Sequence, residues 1–229
     1  MIGKRNNIAF KSQRNIVKCS DFKYLIFDLL LSSILLLITA IPMIFIAVAI
    51  MILDGYPILY FQTRMGRAMN PFCIYKFRTM KMHTSNENSL TVGKDFRITK
   101  LGHCLRRFHL DELPQLFNII MGEMSIIGPR PEIPEFIDVN NKIHQQILSV
   151  KPGLFDNATL NWIDEAKILG LVDNWQEYYR KIILPDKLNM SLNDIQNRSL
   201  LNNIKLIIKA VTYILLIYKT TKKLEVTNV

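Results

Sequence analysis

The chain has 229 residues, enough for one globular core with a small additional module. It carries 29 Lys and Arg against 19 Asp and Glu, and the net charge of +10 favours a polyanionic partner, either nucleic acid or anionic lipid and phosphate groups. Its cysteines and histidines show no CxxC, HxxH or HxxxH spacing, which argues against a disulfide framework or a zinc site and fits a reducing cytosolic setting.

The first predicted element is an apolar helix over residues 29–53, a run of 25 residues without a charged side chain. At about 1.5 Å per residue it can span a hydrocarbon core of about 30 Å, so a simple transmembrane anchor is one interpretation. A re-entrant helix is the other, because Pro42 lies near the middle of the run and favours a kink or break. The residues of the run leave the two topologies equally open. Asp28, at its boundary, receives no predicted chemistry.

Basic residues lie on both sides of this run, and such flanks favour the cytoplasmic face of a membrane. They therefore suit a helix whose two ends face the same side. The residues concerned are Lys4, Arg5, Lys11, Arg14, Lys18 and Lys23 before the run, and Arg64, Arg67, Lys76, Arg78 and Lys81 after it.

A β-hairpin is predicted next, because residues 58–64 and 72–80 are rich in β-branched and aromatic side chains and flank a turn with Gly, Asn and Pro. Alternation places Lys76 and Arg78 on one face of the second strand. That face either binds phosphate groups or is simply solvated. The polar residues 83–96 that follow show no periodicity and are predicted to form a loop.

Two short amphipathic helices follow, over residues 101–108, with Thr99 as N-cap, and 113–121, with Gly122 as the stop. Further helices are predicted over residues 133–148 and 162–171. Residues 204–218 are apolar but too short and too charged to span a bilayer. We predict an interfacial helix there, with a buried core helix as the alternative.

The strongest chemical signal is the adjacent pair Asp111 and Glu112. Pro114 fits only the first turn of the following helix, so both carboxylates lie at its start, where the commonest role is capping. Arg106 precedes the pair, and Arg130 lies between two prolines, which suits bidentate binding of phosphate oxygens. One carboxylate could attack phosphorus while the other binds Mg²⁺ or moves a proton. The combination predicts phosphate chemistry.

Longer motifs around these residues resemble the bacterial sugar transferase family, the monotopic polyprenyl-phosphate phosphoglycosyl transferases. The resemblance covers about residues 24–218, including the proline-containing apolar helix. The motifs that carry it are FQTRMG at residues 61–66, KFRTM at 76–80, LDELPQLFN at 110–118, GEMSIIGPRPE at 122–132 and ILPDKL at 183–188.

The resemblance implies transfer of a sugar-1-phosphate from a UDP-sugar to undecaprenyl phosphate, with release of UMP and with Mg²⁺ as the cofactor. Asp111 would be the nucleophile that carries a covalent phospho-sugar, with Glu112 as its partner, and both are candidate metal ligands. The apolar helix would be re-entrant. The predicted substrate-binding residues are Arg106, Arg130, Lys76 and Arg78.

Two positions depart from the common pattern of this family. The helix break carries Ile41-Pro42 where many members have Ser-Pro, so a serine cannot shape the bend. After Lys-Pro-Gly the chain continues as LFDNATL up to residue 160, in place of a Thr-Gly-Trp or Thr-Gly-Leu pattern. This second segment bears on sugar choice, so the donor sugar stays open. The chain resembles the minimal form of the family, without the additional transmembrane helices of larger relatives.

The predicted fold class is α+β and mostly helical: a small β-hairpin and helices packed at the membrane surface, a re-entrant membrane helix and interfacial amphipathic helices. The expected location is the cytoplasmic face of the bacterial inner membrane, with membrane lipid as a partner and a homodimer left open. A non-catalytic basic scaffold is the alternative function, and no nucleic-acid motif is present. The predicted segments are a basic tail (1–23), a membrane helix (24–56), a catalytic domain (57–200) and an interfacial helix with its tail (201–229).

Overall fold

The computed structural model describes residues 20–82, 91–93 and 95–227. Most of the predicted basic tail, with Cys19, and most of the predicted loop over 83–96 lie outside these residues. The described part is mostly helical with a small antiparallel sheet, as the sequence predicts.

The α-helices of the described part are α1 (Ser20–Leu53), α2 (Lys100–Arg107), α3 (Gln115–Ile120), α4 (Lys142–Ile147), α5 (Asn157–Asn161), α6 (Glu165–Leu169), α7 (Trp175–Tyr178), α8 (Leu184–Gln196) and α9 (Leu200–Thr227). Short 3-10 turns cover Arg67–Met69, Leu110–Glu112 and Pro134–Phe136, and a π-helical turn covers Tyr179–Ile183. The strands are β1 (Leu59–Met65), β2 (Pro71–Phe77), β3 (Ser125–Ile127) and β4 (Gly153–Phe155).

The predicted hairpin is present: β1 and β2 pair antiparallel, with Tyr60 opposite Lys76. A second pair was not predicted. Strands β3 and β4 run parallel, with Ser125 opposite Gly153. Three residues per strand are too few for a hydrophobic period to show in the sequence. This pair nevertheless sets the course of the chain on both sides of Arg130.

Close backbone contact beside this pair requires glycine. A Cβ added to Gly153 would lie 2.1 Å from the amide nitrogen of Gly128, far inside van der Waals contact. The amide of Gly153 also donates to the carbonyl of Pro129 at 2.8 Å. The Lys-Pro-Gly and Gly-Pro-Arg segments are therefore packed backbone to backbone.

Helix α1 is continuous through Pro42 and packs along the folded domain with both of its halves. The first half contacts a core cluster that includes Ile74, Leu116 and Ile126. The second half packs against Phe77 and Leu105. The α1 residues that make these contacts are Leu31, Leu35 and Leu36 in the first half, and Met43, Ile46, Ala47 and Ile50 in the second.

Polar contacts tie the first turns of α1 to the same domain. The buried carboxylate of Asp28 accepts a hydrogen bond from the amide of Ile126 in β3 at 3.0 Å. The Tyr24 hydroxyl donates to the carbonyl of Arg198 at 3.3 Å. Asp28, to which the sequence assigned no chemistry, therefore docks α1 on the domain.

The outer face of α1 carries large apolar side chains without cover. Leu37, at 80% exposure, is the extreme case. By length and composition the helix Phe22–Leu53 could cross a membrane. The exposed residues include Leu30, Ile34, Leu37, Ile38, Ile41, Ile44, Phe45, Ile52 and Leu53.

Helix α9 is partly core and partly exposed, and its interfacial placement stays a prediction. Leu206 and Ala210 are buried in the domain. A stripe of apolar residues on another face stays exposed: Leu201, Ile204, Ile208 and Val211.

The single helix predicted over residues 133–148 is not continuous. Only Pro134–Phe136, as a 3-10 turn, and α4 are helical there. Ile133 and Ile137 have extended backbones, and Asn141 caps α4 by accepting from the amide of Ile143. Ile133 and Phe136 are buried in a second core cluster with Tyr179, although no helix joins them to α4.

Candidate active site

The two carboxylates are presented by a tight reversal of the chain. Helix α2 begins at the predicted N-cap, Thr99, whose hydroxyl accepts from the amide of Gly102. It ends before His109, which has left-handed backbone angles (φ 54°), a conformation that few residues other than glycine adopt. The 3-10 turn Leu110–Glu112 follows directly, so Asp111 and Glu112 are buried just ahead of α3.

Glu112 is held by two cations from distant parts of the chain. Lys76, on β2, donates to its Oε1 at 2.6 Å. Arg130 donates to both carboxylate oxygens, at 2.5 Å and 3.3 Å. Burial acts to raise the pKa of Glu112, but the charges and hydrogen bonds of Arg130 and Lys76 outweigh it and hold that pKa well below its usual value. Glu112 is therefore ionised and fully engaged.

Asp111, in contrast to Glu112, is not held by neighbouring cations of the described part through hydrogen bonds. Its carboxylate forms no hydrogen bond with any residue that the structure describes. Burial, followed by the neighbouring charge of Glu112, raises the pKa of Asp111, and Lys76, Arg106 and His109 oppose that rise. Two adjacent carboxylates thus have different roles: Glu112 organises cations, and Asp111 is left available.

Arg106 is close enough to Asp111 for its charge to lower the pKa of that carboxyl. Its guanidinium donates through Nε to Thr79 and through Nη1 to Thr91, each at 2.8 Å. The second amino group, Nη2, has no hydrogen-bond partner among the described residues. Arg106 is therefore oriented by two threonines and keeps one donor for an anion next to Asp111.

Arg78 corrects the prediction made from strand alternation. Its guanidinium is buried and donates to the carbonyls of Asp54 and Gly55 at 2.6 Å and of Tyr56 at 3.2 Å. These carbonyls follow the last turn of α1. The structure therefore gives Arg78 a structural role at the end of the apolar helix and does not bring it to the carboxylate pair, whereas Lys76, Arg106, Asp111, Glu112 and Arg130 are brought together.

The backbone of Arg130 is positioned by a buried carboxylate that the sequence did not single out. Asp156 accepts from the amide of Arg130 at 3.2 Å and from the Ser191 hydroxyl at 3.1 Å. Its other oxygen accepts from the amide of Thr159 at 2.7 Å, capping α5. Asp156 lies in the segment that departs from the common family pattern. That departure was the available signal for its role.

Glu132, which the sequence also did not single out, anchors the segment that contains Arg130. Its carboxylate pairs with Lys187 at 3.1 Å and accepts from the Tyr179 hydroxyl at 2.9 Å. Its carbonyl accepts from the amide of Met65 in β1. Both charged residues lie in motifs quoted above, GPRPE and ILPDKL, so motif membership was the signal for them.

Asn118 links the carboxylate-bearing turn to β2. It is fully buried, and its side chain accepts from the amide of Tyr75 at 3.1 Å and donates to the carbonyl of Cys73 at 2.7 Å. Lys76 directly follows Tyr75 in β2. The Asn118 side chain therefore fixes the distance between Lys76 and the segment that carries Glu112.

The described residues contain no group of three or more His, Cys, Asp or Glu that could hold a metal ion by itself. With Glu112 engaged by Lys76 and Arg130, Asp111 is the carboxylate at this site with free oxygen atoms. A Mg²⁺ ion is commonly bound by one or two carboxylates together with substrate phosphates and water. The donor set fits Mg²⁺ in that manner, with Asp111 as the protein ligand.

Known proteins resemble this chain in sequence. The family model described as bacterial sugar transferase matches residues 20–216. An uncharacterized sugar transferase, EpsL, of Bacillus subtilis (strain 168) is 32% identical over 157 residues, which cover 66% of this chain and 77% of the relative. The UDP-glucose:undecaprenyl-phosphate glucose-1-phosphate transferase of Klebsiella pneumoniae is 33% identical over 156 residues, again 66% of this chain.

A third relative, from Bacillus subtilis (strain 168), is a putative undecaprenyl-phosphate N-acetylgalactosaminyl 1-phosphate transferase, 43% identical over 101 residues, or 43% of this chain. The matched region is 34% of the Klebsiella protein and 56% of this third relative, so the chain spans only part of their length. The family match, in contrast, runs from the start of α1 into α9 and includes every residue of the carboxylate site. The chain belongs to the bacterial sugar transferase family.

Proposed function

We propose that this chain transfers a sugar-1-phosphate from a UDP-sugar to undecaprenyl phosphate, giving undecaprenyl-diphosphate-sugar and UMP. The observation that carries the proposal is the asymmetry of the carboxylate pair. Glu112 is neutralised by Lys76 and Arg130, whereas Asp111 has no hydrogen-bond partner among the described residues and lies close to Arg106. A free carboxylate surrounded by cations suits attack on a phosphate.

In the first step a carboxylate oxygen of Asp111 attacks the phosphorus next to the sugar. An O–P bond forms to Asp111, the P–O bond to UMP breaks, and UMP departs with the bonding electrons. Arg106 and Arg130 would hold the phosphate oxygens through their guanidinium groups. Mg²⁺, when bound, would screen the charges of the approaching anions.

In the second step a phosphate oxygen of undecaprenyl phosphate attacks the same phosphorus, and the bond to Asp111 breaks. Both nucleophiles and both leaving groups are anions, so neither step requires a proton transfer. Because no proton is transferred, the reaction does not need Glu112 as a base. We therefore assign Glu112 to the orientation of Lys76 and Arg130, which it contacts directly.

The names of the relatives support the two substrates. The Klebsiella protein is named for UDP-glucose and undecaprenyl phosphate, and the third relative for undecaprenyl phosphate and N-acetylgalactosaminyl 1-phosphate. Since these sugars differ, the donor sugar of this chain is left open. The product would begin a surface glycan such as a capsule, O-antigen, exopolysaccharide or glycoprotein glycan.

Release of UMP provides the direct test of this activity. The purified full chain is incubated with a panel of UDP-sugars and Mg²⁺, with and without undecaprenyl phosphate. We expect one donor to give catalytic UMP release with the acceptor, and about one equivalent of UMP without it. Absence of UMP release from every donor would favour the non-catalytic scaffold.

The packing of α1 supports a monotopic arrangement at the cytoplasmic face of the inner membrane. A straight helix of 34 residues would be about 50 Å long, enough to place its two ends on opposite sides of a bilayer. Both ends are instead attached to one domain, through Asp28 near the start and through Arg78 at the end. We infer that α1 enters the membrane with its exposed apolar face and returns to the same side.

Cysteine accessibility tests this topology. Cysteines are introduced at Lys23, near the start of α1, and at Tyr56, just beyond its end; both native side chains are exposed. We expect an impermeant thiol reagent to label both positions only after spheroplasts are opened, because both face the cytoplasm. The background variant replaces Cys19, Cys73 and Cys104 by serine. Labelling of one position in intact spheroplasts would instead establish a spanning helix.

Arg130→Lys tests recognition by the planar guanidinium. Lysine keeps the charge but cannot contact both oxygens of Glu112 and a donor phosphate together. Loss of one charged hydrogen bond is worth about 1.5–3 kcal/mol, so we expect kcat/KM to fall about ten- to a hundred-fold. The control is Arg180→Lys, at an exposed arginine over Phe136. Unchanged kinetics would make Arg130 a structural turn residue.

A further inference from the structure

A second cluster of cations lines a cavity at the start of α1. The cavity has a volume of about 300 Å³ and lies between the first turns of α1 and the domain. Three basic side chains line it, Arg67, Lys151 and Arg198, together with Tyr24 and the carboxylate of Asp28. It shares no lining residue with the carboxylate site at Asp111.

The guanidinium of Arg198 lies over the Tyr24 ring. Its guanidinium carbon lies 4.2 Å from the centroid of the Tyr24 ring, a stacked position that restricts its motion. The guanidinium forms no hydrogen bond with any described residue. A planar group with oriented but unsatisfied N–H donors matches the oxygens of a phosphate.

The charges of the cavity favour an anion. Asp28 is the single carboxylate in its lining, and one of its oxygens already accepts from the amide of Ile126. Of the three basic side chains in the lining, Arg198 offers its guanidinium N–H groups to an anion, because they form no hydrogen bond with any described residue. Phosphate groups are the anions that such clusters bind when a guanidinium is included.

The location of the cavity indicates which molecule supplies the phosphate. Tyr24 lies five residues before the uncharged run at 29–53, beside Phe22 and Lys23. Aromatic and basic residues at the end of an apolar helix lie at the level of the lipid headgroups. At the level of the lipid headgroups, phosphate groups of the membrane lipids are present at a much higher concentration than soluble anions.

We propose that this cavity binds the phosphate group of an anionic membrane phospholipid, held by the guanidinium of Arg198 in a lining that also contains Lys151 and Arg67. The lipid would fix the start of α1 at the membrane surface. The inference rests on the proposed membrane placement of α1 and is independent of the sugar transfer. If the chain binds lipid in this cavity but releases no UMP, the proposed transferase activity is overturned and the proposed lipid site is not.

Native mass spectrometry of the full chain in detergent tests the site. The protein is titrated with phosphatidylglycerol or with zwitterionic phosphatidylcholine. We expect the first phosphatidylglycerol to bind about ten-fold more tightly than phosphatidylcholine, and Arg198→Gln to reduce its affinity about ten-fold. Arg198→Lys, which keeps the charge but loses the planar fork, should give an intermediate loss and serves if the Gln variant does not fold.

The matched control is Arg180→Gln, which removes an exposed arginine that also lies over an aromatic ring, 5.5 Å from the centroid of Phe136. We expect this variant to bind phosphatidylglycerol like the native chain. An equal loss in both Gln variants would show only diffuse attraction to charge and would overturn the site. Displacement of the lipid by millimolar inorganic phosphate would reassign the cavity to a soluble anion. UMP release by Arg198→Gln in detergent should stay at the native level.

Discussion

Asp111→Asn is expected to abolish the covalent phospho-sugar and to lower turnover about 10⁴-fold or more, as removal of a nucleophile commonly does. The substitution keeps the shape of the side chain, but an amide does not attack phosphorus. Because the Asp111 carboxylate has no hydrogen-bond partner among the described residues, little of the fold depends on its charge. Loss of activity in this variant therefore reports on chemistry.

The measurement is intact-protein mass spectrometry after incubation with the active UDP-sugar and Mg²⁺, followed by peptide mapping. The native chain should gain the mass of one sugar-phosphate on Asp111, and Asp111→Asn should gain none. Asp173→Asn, at an exposed aspartate, is the control and should behave like the native chain. A sugar-phosphate that persists on Asp111→Asn, or that maps to another residue, would overturn the assignment.

Glu112→Gln is expected to lower kcat about 100-fold or more while the covalent adduct still forms slowly. The variant removes the charge that Lys76 and Arg130 share, and two charged hydrogen bonds of about 1.5–3 kcal/mol each lose their orientation. Since each 1.36 kcal/mol is a tenfold rate difference, a hundred-fold decrease requires only part of that energy. Formation and discharge of the adduct should slow alike, because both occur at the same phosphorus.

Rapid-quench measurement of UMP release, with and without acceptor lipid, separates the two steps. The control is Glu177→Gln, which breaks the exposed pair with Lys181 and should leave kcat unchanged, because exposed ion pairs contribute little. If Glu112→Gln formed the adduct at the native rate and failed only in its discharge, Glu112 would act on the acceptor alone. The role in orienting Lys76 and Arg130 would then be wrong.

The carboxylate site shows where sequence reasoning succeeds and where it stops. Asp111, Glu112 and Arg130 stand out because they lie in long motifs, and Arg106 stands out because it closely precedes the carboxylate pair. The division of labour between the carboxylates does not follow from these motifs. It depends on Lys76 reaching Glu112 from 36 positions away, and sequence spacing alone does not reveal a contact between two distant segments.

Arg78 is a residue for which the sequence predicted a shared site that the fold does not form. Its position in the KFRTM motif and its alternation with Lys76 predicted a shared substrate-binding face. The strand ends at Phe77, however, and the next side chain turns to the carbonyls beyond α1. Alternation is reliable only while the strand continues.

Local patterns determined much of this protein without help from the fold. The uncharged run specified α1, strand-forming residues on both sides of a turn specified the hairpin, and Thr99 specified the start of α2, because each depends on neighbours within a few positions. The tertiary structure alone decided the pairing of Glu112, the support of Arg130 by Asp156, and the attachment of both ends of α1 to one domain. These contacts join residues far apart in the chain, and only folding brings such residues within the distance of a hydrogen bond.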